Sequence, residues 1–174
     1  SAGAVWIVAH SFGCLASVVA AVDRPQKVAG LLLVAPADPE RFELLGVRED
    51  PQRSAGVGRF LPPSGLPCPS FMVVSRSDPW LSQDVAHEWA ERWGSRLIDA
   101  GDAGHINVES GHGPWPLAPS LLQQLRDSAG DLPLGMITPD QRAPLRGRSS
   151  ALARLRHQTR RFLSLRRTTM PSTP

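Results

Sequence analysis

The sequence predicts an α/β fold built on a parallel sheet, and three observations carry that reading. Short, continuous apolar runs rich in β-branched and aromatic residues recur at 5–9 (VWIVA), 28–35 (VAGLLLVA) and 71–75 (FMVVS), as suits strands buried on both faces. Segments with apolar residues three and four apart lie between or after them. The resulting order, strand then helix then strand, implies right-handed parallel crossovers.

The elements follow in order. After residues 5–9, the turn His10-Ser11-Phe12-Gly13 leads into a segment where Leu15, Val18, Val19 and Val22 repeat at helical spacing, ending before Pro25. Residues 28–35 are the second strand. Residues 36–69 hold many Pro, Gly and charged residues, with a short helical hint at 42–45, and read as an excursion outside the sheet. Residues 71–75 resume it. Ser82 can cap a helix in which Val85, Trp89 and Trp93 fall four apart and which Gly94 ends. Residues 96–99 form a fourth, shorter strand, and Leu117, Leu121, Leu122 and Leu125 mark a closing helix from Trp115 to about Arg126.

Composition bounds the rest. At 174 residues and 41% hydrophobic, the chain can bury one ordinary core. No apolar run reaches the roughly 18 residues of a membrane span, and the first residues lack the basic region of a signal peptide, so a cytoplasmic location is expected. Cys14 and Cys68 have no partners at metal-ligand or disulfide-scaffold spacing, and neither a metal nor a cofactor is expected. Charge divides the chain. Residues 1–125 hold 9 basic and 13 acidic side chains, whereas 126–174 hold 10 arginines and 3 aspartates, a local balance of +7 within a net charge of +3. The sequence places a domain at 1–128 and an Arg/Pro-rich tail at 129–174.

A nucleophilic serine needs a sharp strand-to-helix turn with small neighbours. Ala9-His10-Ser11-Phe12-Gly13 meets that description, with Ala9 where the G-x-S-x-G pattern has its first Gly; the competing reading is a serine that merely caps a helix. Such a serine needs an imidazole to take its proton and a carboxylate to hold that imidazole. Asp78 follows the third strand and His105 the fourth, so a parallel sheet puts both at the same carboxyl edge as Ser11. Each has an ordinary alternative: Asp before Pro is a common turn residue, and His beside Gly a common surface group. Together, in the order Ser, Asp, His, they match α/β-hydrolases. His10 is expected to pack or hydrogen-bond near the turn, His112 is a rival base further from the strand end, His87 is expected in solvent, and Cys14 is expected in the core. Trp80 and Trp115 are candidates for either an acyl-pocket wall or core packing.

The segments AHSFGC, SRSDPW and GDAGHINVESGHGPWP resemble the small single-domain serine hydrolases related to retinoblastoma-binding protein nine, an α/β-hydrolase group. The resemblance runs from about Val5 to Leu125. It implies Ser11 as nucleophile, Asp78 as acid, His105 as base, and hydrolysis of a small-molecule acyl ester or amide.

In this fold the oxyanion hole takes one N–H from the residue after the nucleophile, here Phe12, and a second from a loop after an earlier strand. Ser11 stands so near the start that no earlier strand precedes it. The expectation is a fragment lacking its amino-terminal strands and the second donor, with residues 5–9 as an exposed sheet edge. The tail admits disorder, an amphipathic arginine-rich helix contacting nucleic acid or an anionic surface, or translated GC-rich frameshift; residues 129–149 offer no apolar face to dock with and no aromatics interleave for base stacking, which favours disorder. A second functional class stays open, a catalytically silent binding protein that uses the tail or the sheet edge for a partner.

Overall fold

The computed structural model describes residues 3–50, 52 and 54–130; the tail expected at 129–174 lies outside them from residue 131 onward. The chain order is β1 (Val5–Ser11), α1 (Phe12–Asp23), β2 (Val28–Pro36), β3 (Phe42–Glu43), β4 (Gly46–Val47), β5 (Ser70–Val74), α2 (Gln83–Trp93), β6 (Arg96–Asp99) and α3 (Leu117–Gly130). Strands β1, β2, β5 and β6 pair in that spatial order, every pair parallel. Moving always to the same side of the previous strand forces right-handed crossovers to lay their helices on one face.

That is where α1 and α2 lie. Alternate residues of β2 and β5 point to opposite faces. Leu31, Leu33, Met72 and Val74 meet Cys14, Leu15, Val18 and Ala21 of α1 and Ala86, Ala90 and Trp93 of α2. On the other face Leu32, Val34, Phe71 and Val73 meet Leu121 and Leu125 of α3. Strand β2 is buried along almost its whole length, as expected of an apolar run enclosed by helices on both sides. A fully buried leucine such as Leu31 contributes about 2 kcal/mol relative to exposure.

Of the apolar residues at helical spacing in α1, Leu15 and Val18 are buried with Cys14 and Ala21, while Val22 is 37% exposed. One local expectation needs correction. Residues 42–45 are no helix. They open a hairpin in which Phe42 pairs with Val47 and Glu43 with Gly46, antiparallel. The apolar spacing of Phe42, Leu44 and Leu45 fits either structure, and the turn is settled by Gly46 at φ 145°, a conformation only glycine adopts without strain.

Helix α2 is delimited as its sequence suggests. The Ser82 hydroxyl accepts the Val85 N–H, and Gly94, left-handed at φ 66°, closes the helix by donating its N–H to the Ala90 and Glu91 carbonyls. Strand β1 forms one edge of the sheet, with Val5 and Val8 each about half exposed.

Candidate active site

Three loops leave the carboxyl ends of β1, β5 and β6 on one rim of the sheet, and each carries one of the residues singled out by the sequence. Ser11 ends β1 at φ 55° and ψ −130°, a conformation that strains any residue with a Cβ by about 1–3 kcal/mol. Although it occupies the position before α1, its side chain makes no capping hydrogen bond. Instead the Ser11 hydroxyl donates to His105 Nε2 at 2.8 Å. The reading of Ser11 as a plain helix cap is therefore set aside by the geometry.

His105 donates its Nδ1–H to both carboxylate oxygens of Asp78, at 3.0 Å each. With Nδ1 committed to donating, Nε2 is left as the acceptor facing Ser11. Both side chains are almost fully enclosed, 7% exposed for His105 and 3% for Asp78, and a buried carboxylate is tolerable only with such partners. Asp78 also behaves as the turn residue that an Asp-Pro pair suggests: its Oδ1 accepts the Trp80 N–H at 2.8 Å. One carboxylate thus shapes its own loop and holds the imidazole.

The loop carrying His105 is tied down by hydroxyls. Ser75, buried at the end of β5, accepts the Ala103 N–H at 2.9 Å; Ser77 accepts the Gly104 N–H at 3.0 Å; Ser110 accepts the His105 N–H at 2.9 Å. These serines escaped the sequence reading, because a hydroxyl that satisfies a distant backbone N–H leaves no periodic trace. The only signal was the crowding of Ser75 and Ser77 beside Asp78; Ser110, five residues after His105, gave none.

The remaining candidates fall into place around this core. His10, on the exposed side of β1, donates Nε2–H to the His105 carbonyl at 2.7 Å, with ring centroids 4.8 Å apart. His112 donates to the Ala103 carbonyl at 3.1 Å and so supports the loop from below. His87 is exposed. Cys14 is fully buried, its thiol directed at the Ala9 and Val34 carbonyls, and burial pushes its pKa up to about 12.

An aromatic row runs from the turn to the imidazole. Phe12 meets Phe42 at 5.0 Å, Phe42 meets Trp80 at 6.1 Å, and Trp80 meets His105 at 6.1 Å between ring centroids. Arg41 lies 4.5 Å over the Trp80 ring and donates to the Pro79 carbonyl. Of the two tryptophans considered for a pocket wall, Trp80 stands at the site, whereas Trp115 packs against the apolar layer under α3. A shallow depression of about 390 Å³ is lined by His105 and Trp80 together with Asp102, Asn107 and Glu109, and Ser11 is not among its lining residues. Among the described residues no group of His, Cys, Asp and Glu could hold a metal ion, and no helix is long and apolar enough to cross a membrane.

The geometry has parallels in known proteins. A protein from Pectobacterium atrosepticum described as a YdeN-like hydrolase superposes with a TM-score of 0.61 at 35% identity, over 71% of this chain and 60% of its own. Two more distant structures share the fold. Est1E from Butyrivibrio proteoclasticus, solved with ferulic acid, has a TM-score of 0.54 at 15% identity, over 74% of this chain and 60% of its own. Mouse alpha/beta hydrolase domain-containing protein 10 has a TM-score of 0.50 at 16% identity, over 74% and 64%. The architecture is therefore that of the α/β hydrolases, of which this chain spans about 60% of the length of the first two. A search of curated proteins returns no match. The profile of the family described as serine hydrolase matches residues 1–124, and the chain belongs to that family.

Proposed function

We propose that the protein hydrolyses a small acyl ester or amide through an acyl-enzyme, with Ser11 as nucleophile, His105 as general base and acid, and Asp78 as the carboxylate that orients it. The observation that carries this reading is the continuous set of hydrogen bonds from Ser11 Oγ through the His105 ring to Asp78. The family membership and the hydrolase from Pectobacterium support it.

The steps follow from that arrangement. As Ser11 Oγ bonds to the substrate carbonyl carbon, its proton passes to His105 Nε2, and Asp78 stabilises the imidazolium through Nδ1–H. The carbonyl oxygen becomes an oxyanion, for which the Phe12 N–H at the start of α1 is the proposed donor, aided by the positive end of the helix. His105 then returns the proton to the departing alcohol or amine as the acyl bond breaks. Water attacks the acyl-Ser11 ester by the same route in reverse and releases the acid.

The segments AHSFGC, SRSDPW and GDAGHINVESGHGPWP further support a place beside the hydrolases related to retinoblastoma-binding protein nine. The test is a fluorophosphonate probe with turnover of a short p-nitrophenyl ester. Ser11→Ala is expected to abolish labelling, and His105→Ala or Asp78→Asn to lower turnover by about 10⁴-fold while the fold persists. Undiminished labelling of Ser11→Ala, or full turnover after His105→Ala, refutes the residue assignment, whereas no labelling and no turnover in the unaltered chain leaves a silent binding protein as the better reading.

A further inference from the structure

Besides its ring, His105 has both polar groups of its own main chain held by side chains. Its N–H donates to Ser110 Oγ at 2.9 Å, and its carbonyl accepts from His10 Nε2 at 2.7 Å. The two partners come from different elements. His10 stands next to Ser11 on β1, and Ser110 lies on the return of the loop beyond His105.

Each bond is itself prepared. Ser110 Oγ donates its own proton to Asn107 Oδ1 at 2.7 Å, and that oxygen also accepts the Ser110 N–H at 2.9 Å. With its proton so engaged, the hydroxyl presents lone pairs to His105. The approach depends on Gly104, at φ 56°, where a Cβ would lie 2.6 Å from Ser110 Oγ. On the other side of His105, Ile106 is buried and left-handed at φ 48°, a conformation that an isoleucine keeps only when its surroundings impose it.

We propose that His10 and Ser110 are positioning residues that fix the base through its main chain. Because His10 adjoins Ser11, its bond to the His105 carbonyl links the strand that carries the nucleophile to the loop that carries the imidazole. The Ser11 to His105 approach of 2.8 Å is thereby held by the backbone as well as by the bond between the two side chains. The role rests on the hydrolytic reading above. It adds residues that never meet the reacting atoms.

The experiment compares His10→Met with His10→Gln in the full chain, since the two replacements match in length and shape and only the glutamine carries an N–H donor. Ser110→Ala and Ser11→Ala complete the set. Turnover of a short p-nitrophenyl ester gives kcat and KM, and amide hydrogen exchange reports on residues 104–106. His10→Met and Ser110→Ala are expected to lower kcat about 10- to 100-fold with KM little changed, as a slightly misplaced base should, and to speed exchange at 104–106. His10→Gln is expected to recover most of both. Equal kcat and exchange in the Met and Gln variants overturns the proposal, as does loss of folding in both alike, because the N–H would then not be the part of His10 that matters. Hydrolysis surviving in Ser11→Ala overturns the catalytic reading instead, and the exchange measurements alone then decide whether the two side chains hold the loop.

Discussion

Replacing Ser11 in two ways separates the strain of the turn from the chemistry of the hydroxyl. Both Ser11→Ala and Ser11→Gly remove the hydrogen bond to His105 Nε2, so that loss, about 1 kcal/mol, is common to both. They differ in the Cβ. At φ 55° and ψ −130° an alanine keeps the strain of about 1–3 kcal/mol that glycine escapes, while glycine gives back about 0.5–1 kcal/mol through the greater freedom of its unfolded chain. The difference predicts that Ser11→Gly is the more stable of the two by roughly 0.5–2 kcal/mol, the reverse of the usual order inside a helix or a strand. Urea unfolding followed by tryptophan fluorescence, with the two variants compared at equal slope, measures it. A Ser11→Gly variant equal to or less stable than Ser11→Ala would mean that the turn is not strained, and the account of why the serine stands free of its helix would fail with it.

Three further outcomes are expected. Leu125→Ala, at a fully buried site under the sheet, should destabilise by about 2–5 kcal/mol, whereas Leu117→Ala on the same helix, 42% exposed, should stay within about 0.5 kcal/mol in the same urea titration. Gly30→Ala should destabilise by about 1–3 kcal/mol and alter Trp6 emission, because a Cβ there would sit 2.3 Å from the Trp6 ring and 3.0 Å from the Pro69 carbonyl. Cys14 is held protonated well above its ordinary value of 9.0, at about 12. Its contribution is therefore complete below pH 9 and lost as the pH rises toward 12, on the order of 3 kcal/mol by pH 11. Cys14→Ala should flatten the alkaline fall in urea midpoint between pH 8 and 11, and an unchanged fall would refute the assignment.

What the sequence revealed depended on how local the determinant was. Strands β2 and β5 announce themselves because enclosure by helices on both faces demands an unbroken apolar run, and α2 because Ser82 and Gly94 act within one turn of their own helix. Ser11, Asp78 and His105 are singled out by combining a local turn pattern with the rule that parallel strands share a carboxyl edge. The hydroxyls of Ser75, Ser77 and Ser110 obey no such rule. Their partners are chosen by the packing of loops, and serine is common everywhere. The hairpin of β3 and β4 was missed for a different reason: four residues with three apolar side chains satisfy either period, and only the pairing with Gly46 and Val47 decides between them.

The Ser11 to His105 bond joins residues 94 positions apart, with strands β2, β5 and β6 of the sheet between them. Contacts of such separation close late in folding, since the ordering of the intervening chain must precede them. No segment emerging early in synthesis can therefore bring hydroxyl and imidazole together, however well its own strands pair. On the catalytic reading, hydrolysis is a property that the chain acquires only once the loop after β6 is in place. Reactivity toward a serine-directed probe would then report completed folding, and a partly folded chain would not release a wandering nucleophile among its neighbours.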